Sequence, residues 1–201
     1  MALSVQSRSQ RDELDIQAMR RICLGEDAAV AELYDRHSPM ALGLALKILR
    51  DAQEAEDVVH DAFVAIVERA DQYKAERGTV VAWLVTTVRN LALDRTRRRT
   101  RRAQITEEEL RHEPADPVLD PESIAWAVRE RDAVRRALEK LSPSQRQTLE
   151  IAFFEGLSYP EIAEREKIPL GTVKSRAARA LSALRAALEG VELPDAPPEG
   201  A

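Results

Sequence analysis

LSYPEIAEREKIPLGTVKSRAARALSALR, residues 157–185, decides the fold, because it writes two short helices at a fixed offset and places cations on the second. Ser158 followed three residues later by Glu161 is a capping box, in which the carboxylate reaches back to the free backbone donors of the helix start. The spacing predicts a helix from Tyr159, with Ile162 and Ala163 facing a core, broken at Lys167-Ile168-Pro169. From Thr172 the apolar period resumes, and Val173, Ala177, Ala180, Leu181, Leu184 and Leu188 share one side. Thr172, Lys174, Ser175, Arg176 and Arg179 are left facing outward. Between Leu170 and Arg185 there are four basic residues and no acid, so this face is positive where the phosphates of a duplex would lie. Cap, break and restart together make a helix-turn-helix whose second helix fits a major groove. A merely solvated basic face is the plainer alternative, and it leaves the cap and the break unexplained.

Working outward, aromatics are only 4% of the 201 residues and glycines number seven, while charged residues reach 32%, a balance that favours small helical bundles over a sheet. No apolar run approaches the roughly 20 residues that span a bilayer, and MALSVQSRSQRDELD has no apolar signal core, so a cytoplasmic chain without membrane insertion is expected. Cys23 is the single cysteine, which excludes an intramolecular disulfide, and it is expected to pack as a small core residue. His37, His60 and His112 are too dispersed to suggest a metal site, and no cofactor is implied. With no paired acid and base, no nucleophile beside a base and no phosphate-binding glycine loop, no catalytic residue can be named and an enzyme is not expected.

The net charge of -5 looks wrong for a nucleic-acid binder until the charges are located. Arg89 to Arg102 holds seven arginines against Asp94 alone, a local +6, whereas residues 103–123 hold seven acids against Arg111, a local -6. Residues 103–120 also carry Pro114 and Pro117 and lack a sustained apolar period, which reads as an extended acidic linker. The expected organisation is a flexible N-terminus at 1–11, a helical domain at 12–102, the linker at 103–120, a second helical domain at 121–189 and a disordered tail at 190–201. The fold class is therefore all-α, two small helical domains joined by a flexible linker.

Within the first domain a helix from Glu13 to Leu24 is expected to end at Gly25 in a left-handed cap. Asp27 then caps a helix with Val30, Leu33 and Tyr34, continued past Ser38-Pro39 by Leu42, Leu46 and Leu49. Asp51 and Glu54 signal the next start, with Ala55, Val58, Val59, Ala62, Phe63, Ile66 and Val67 inward. Thr79 caps a long helix that puts Val81, Leu84, Val85, Val88, Leu91 and Ala92 on one face and runs into the arginines. In the second domain a lead helix from Pro121 carries Ile124, Trp126, Val128, Val134, Leu138 and Leu141, and Ser142-Pro143 restarts a helix through Leu149, Ile151, Ala152 and Phe153 to Gly156.

The stretches AELYDRHSPMALGLALKIL, DAQEAEDVVHDAFVAIVERADQY, VVAWLVTTVRNLALDRTRRR and LEKLSPSQRQTLEIAFFEGLSYPEIAEREKIPLGTVKSRAARALSALR, in that order, resemble the extracytoplasmic-function (ECF) group of the bacterial sigma-70 family over about residues 27–188. The resemblance implies a sigma region 2 bundle that binds core RNA polymerase and the melted -10 element, and a sigma region 4 helix-turn-helix that reads the -35 duplex. It also implies an anti-sigma protein as a partner. On these positions the -35 contacts would be Thr172, Lys174, Ser175, Arg176 and Arg179. Tyr73, Lys74, Arg77, Trp83, Thr87 and Asn90 interleave aromatic rings, cations and polar side chains, a pattern suited to stacking and reading single-stranded bases, although Trp83 equally suits core packing. Arg89, Arg95, Arg98 and Arg99 are candidate phosphate contacts. Glu54, Asp57 and Asp61 form an acidic stripe beside an apolar core, either a docking face for the polymerase or an ordinary solvated one. The acidic linker is either an inert tether or an electrostatic mimic of RNA in a positive polymerase channel.

Three positions depart from the family pattern: Lys167 stands where the turn commonly has glycine, Glu166 where an apolar residue is usual, and His60 where glutamine is common. A non-glycine residue in the left-handed region costs about 1 kcal/mol or slightly more. The rival reading is a LuxR-type helix-turn-helix regulator, which LSPSQRQTLEIAFFEGLSYPEIAE also resembles. It leaves Asp51 to Arg102 unexplained and lacks the strand-helix alternation of a receiver domain. A helical adapter with no DNA role would make the arginines plain surface.

Overall fold

A computed structural model of the chain describes residues 2–106 and 135–187, with side chains over 10–101 and 135–187. Residues 103–106, expected to open the linker, are instead the end of the long helix that carries the arginines, while the rest of the expected linker, the lead helix up to residue 134, Leu188 and the tail lie outside the described residues. The described parts fall in two compact units, one carrying 2–106 and the other 135–187. Both are helical, with no strand among the described residues.

The first unit contains α1 (Ala2–Cys23), α2 (Asp27–Leu49), α3 (Ala52–Glu68) and α4 (Val80–Thr106), with short 3-10 turns at Ala70–Gln72 and Ala75–Arg77 between the last two. Residues 1–11, expected as a flexible N-terminus, are helical from Ala2, so the expected helix start at Glu13 is corrected. Gly25 takes the left-handed conformation at φ 82°, as the α1 stop requires. The cap of α2 is Glu26 rather than Asp27, which is the first helical residue, and Pro39 lies inside one continuous helix. Proline removes one ladder donor there. Burial on both sides of Pro39, in a stripe of Ala29, Leu33, His37, Ala41, Ala45 and Leu49, holds the helix together across the gap.

That stripe recurs every four residues and meets similar ones: Ala55, Val58, Val59, Ala62, Phe63 and Ile66 on α3, and Val80, Leu84, Val88 and Ala92 on α4. Alanines at the seams let α2, α3 and α4 approach one another closely. Asp51 caps α3 by accepting the Glu54 N–H at 2.9 Å, and Thr79 caps α4 by accepting from Ala82 at 3.2 Å. Both starts are where the sequence puts them. α1 is fastened to α2 by a buried polar cluster: Asp15, 1% exposed, bonds His37 Nε2 at 2.8 Å and pairs with Arg36. Cys23 is exposed, contrary to the expected core role, because it ends α1 just short of the turn. Val67, also expected inward, is 36% exposed, and Tyr34 on α2 is 43% exposed although its ring meets Phe63 at 4.8 Å.

The second unit opens with a helical run at 135–139 and continues with α5 (Pro143–Glu150), α6 (Tyr159–Glu166) and α7 (Leu170–Ala187). Ser142 and Gln145 cap α5 reciprocally, at 2.9 and 3.3 Å, with Pro143 at the first helical position. Residues Ile151–Glu155 form a π turn, closed by Gly156 at φ 67°. Ile151, Ile162 and Val173, one from each successive segment, make the core, with Leu157, Tyr159 and Ile168 packed against it.

Candidate nucleic-acid interface

The helix-turn-helix is set by local bonds. Glu161 accepts from both the N–H and the hydroxyl of Ser158, at 2.7 and 2.6 Å, which fixes the start of α6 at Tyr159. The helix stops at Lys167, held in the left-handed region at φ 54° and ψ 44° despite its side chain. The Ile168 N–H then returns to the Ala163 carbonyl at 3.1 Å and the Ile168 side chain joins the core, the Schellman pattern of bond plus apolar contact. The Pro169 carbonyl accepts from Thr172 at 2.8 Å, so α7 begins at Leu170, two residues before the expected restart.

Along α7, Val173, Ala177 and Ala180 are buried, so Lys174 and Arg179 point to solvent while Thr172, Ser175 and Arg176 are half-buried on its flanks. Thr172, Ser175, Arg176 and Arg179 thus share one arc of the helix beside the buried stripe, and Lys174 lies on its other flank. Leu181, expected inward, is 44% exposed, because α5 and α6 cover only the stripe through 173, 177 and 180. Polar links not foreseen from the sequence brace the motif. Arg165 pairs with Glu155 and contacts Glu166 at 3.4 Å, and Gln147 donates to Glu166 at 3.0 Å, tying α6 to α5 and to the π turn. Hydrogen bonding to Glu155 raises the Arg165 pKa further. Separations of ten and nineteen residues leave no periodic signal for such pairs.

In the first unit the loop ahead of α4 gathers the other candidates. The Tyr73 and Trp83 rings stack at 5.9 Å with 14° between their planes, and the Tyr73 hydroxyl donates to the Gly78 carbonyl at 3.1 Å. Burial, then the charges of Asp12, Asp15 and Glu76, push the Tyr73 phenol above the ordinary tyrosine value. It is therefore a neutral aromatic surface at physiological pH. Lys74 and Arg77 are exposed on the same loop, and Asn90 is exposed on α4, where its side-chain oxygen accepts from Arg89 at 3.4 Å. Thr87 is half-buried, and its hydroxyl donates to the Trp83 carbonyl at 2.9 Å. Burial, and then the charge of Arg97, lower the Arg89 guanidinium from its ordinary value.

Two groups that the sequence presents as separate surfaces come together. Arg95 pairs with Asp57 at 3.1 Å and Asp61 at 3.2 Å, and Arg99 lies 3.6 Å from Glu54. Arg98 pairs with Asp94 at 2.7 Å on its own helix. Among the described residues no cluster of His, Cys, Asp and Glu could hold a metal ion, and no helix is long and apolar enough to cross a membrane.

Two family models match in the order of the two units: Sigma-70 region 2 over residues 33–102 and Sigma-70 region 4 over residues 131–184. The ECF RNA polymerase sigma factor SigK of Mycobacterium bovis (strain BCG / Pasteur 1173P2) is 34% identical over 179 residues, 87% of this chain and 94% of the relative. The chain belongs to the ECF RNA polymerase sigma factors. SigK of Mycobacterium ulcerans (strain Agy99) is likewise 34% identical to this sigma factor, over 85% of this chain and 91% of the relative. Among solved structures, Rhodobacter sphaeroides SigE in complex with the anti-sigma ChrR is 28% identical with a TM-score of 0.44, covering 86% of this chain and 96% of SigE. The region 2 match accounts for α2, α3 and α4, which the LuxR-type alternative leaves without a role.

Proposed function

We propose that this sigma factor directs core RNA polymerase to a small set of promoters, its first unit capturing the melted -10 strand and its second docking in the -35 major groove. The observation that carries this reading is α7, a helix without an acid on which Lys174 and Arg179 point to solvent and Thr172, Ser175 and Arg176 flank a buried stripe. The Tyr73–Trp83 stack, flanked by Lys74, Arg77, Thr87 and Asn90, supports single-strand capture through aromatic faces and nearby cations. Arg89, Arg95, Arg98 and Arg99 supply phosphate contacts. Glu54, Asp57 and Asp61 dock the polymerase, and an anti-sigma protein, implied by the family, covers the polymerase-binding surface. The chain acts in the cytoplasm and carries out no covalent chemistry of its own.

The test is transcription by purified cognate core polymerase on a pool of genomic fragments, with and without this protein, sequencing the 5′ ends. New starts sharing spaced -35 and -10 elements are expected. No new starts, with duplex binding by the protein alone, would replace this reading with the LuxR-type regulator.

A further inference from the structure

Arg95 is held from three directions. One terminal nitrogen lies 3.1 Å from Asp57 and 3.3 Å from the Glu54 carbonyl, and the other lies 3.2 Å from Asp61. One helical turn on, Arg99 reaches the Leu49 carbonyl at 3.5 Å and the Glu54 carboxylate at 3.6 Å. These acids are the proposed polymerase-docking stripe, and these arginines are half of the proposed phosphate contacts. We propose that the acidic stripe of α3 and the arginine run of α4 mask each other in the free chain, and that cations of core polymerase displace Arg95 and Arg99 from Asp57, Asp61 and Glu54, releasing both guanidiniums to DNA phosphates. The inference rests on the docking role given above to those three acids.

Three features favour exchange over a permanent staple. The Asp57 and Asp61 side chains are 51% and 52% exposed and Arg95 is 30% exposed, so water screens the pairs and an incoming cation can reach the carboxylates from outside. Asp57 and Asp61 lie four residues apart on one helix face, so their mutual repulsion demands a cation, and an external one serves as well as Arg95. Glu54 Oε2 is buried and has no hydrogen-bond partner among the described residues, and its nearest cation, Arg99, stops 3.6 Å away. Arg99 therefore makes no hydrogen bond to that oxygen that its departure would break. Linkage makes the effect reciprocal: whatever factor core binding adds to DNA affinity, DNA adds to core affinity.

The test measures affinity of the full chain for core polymerase and, separately, for single-stranded DNA of arbitrary sequence. Arg95→Gln removes the internal competitor, and core binding is expected to tighten by about two- to fivefold, the scale of one exposed ion pair. Asp57→Asn with Asp61→Asn is expected to weaken core binding. It should also tighten DNA binding by the isolated chain beyond a Glu56→Gln, Glu68→Gln control, which removes the same charge from exposed positions of the same helix. Unchanged or weaker core binding by Arg95→Gln would overturn the exchange and make Arg95 a staple, as would a double variant that binds DNA no better than the control. Failure of the docking reading itself shows differently: Asp57→Asn with Asp61→Asn would then leave core affinity untouched.

Discussion

Both units carry arginines on a long helix, yet the two sets meet different surroundings. On α4, Arg95, Arg98 and Arg99 are each paired with a carboxylate, two of them across to α3. On α7 there is no acid, and among the described residues no ion pair engages Lys174, Arg176 or Arg179. A basic run in a sequence is thus not yet a basic surface. On the proposed function the unpaired α7 set meets a duplex directly, whereas on the proposed exchange the paired α4 set first changes partners.

The largest effects test whether the two units have independent cores. Asp15→Ala leaves His37 and Arg36 without their buried carboxylate and is expected to destabilise the first unit by about 3–5 kcal/mol. Hydrogen exchange should then speed up over residues 10–101 and stay unchanged over 143–187. Ile162→Ala, at a site 1% exposed, is expected to cost about 2–5 kcal/mol and to show the mirror-image pattern. Simultaneous loss of protection in both units, from either change, would break the comparison at its root.

Smaller effects separate the two arginine sets. Arg176→Ala with Arg179→Ala is expected to weaken -35 duplex binding by the polymerase complex and to reduce the log–log salt slope by about 2, while core binding survives. In the isolated chain, Arg95→Ala with Arg99→Ala should leave the salt slope for single-stranded DNA binding nearly unchanged, since those cations are already neutralised; a slope reduced by about 2 there would erase the distinction. The smallest expected change is a gain. Lys167→Gly relieves the left-handed strain in the second unit by up to about 1 kcal/mol, read as a higher denaturation midpoint for 143–187. Arg50, at φ 57° after α2, offers the matching test in the first unit.

Much of this was legible in the sequence, for reasons that differ from residue to residue. Asp51, Thr79, Ser142 and Ser158 mark helix starts because a cap closes within three residues, too short a span for tertiary structure to override. Lys167 could be read as a left-handed stop from its place in the turn, and it is one. Periodicity failed at the margins of faces. Val67 and Leu181 continue an apolar stripe but lie past the edge of the helices that cover it, and Cys23 ends its helix before any neighbour reaches it.

By itself, then, the sequence determined the capped starts of α3, α4, α5 and α6, the break at Lys167 and the buried stripe of α7, since each depends on contacts or periods spanning only a few residues. Only the tertiary structure decided that Arg95 meets Asp57 and Asp61 across 38 and 34 residues, that Asp15 is buried against His37 across 22, and that Arg165 braces Glu155 across ten. The physical reason is common to all three. A charged side chain can reach several partners, and which one it takes depends on how closely packed backbones bring distant residues together.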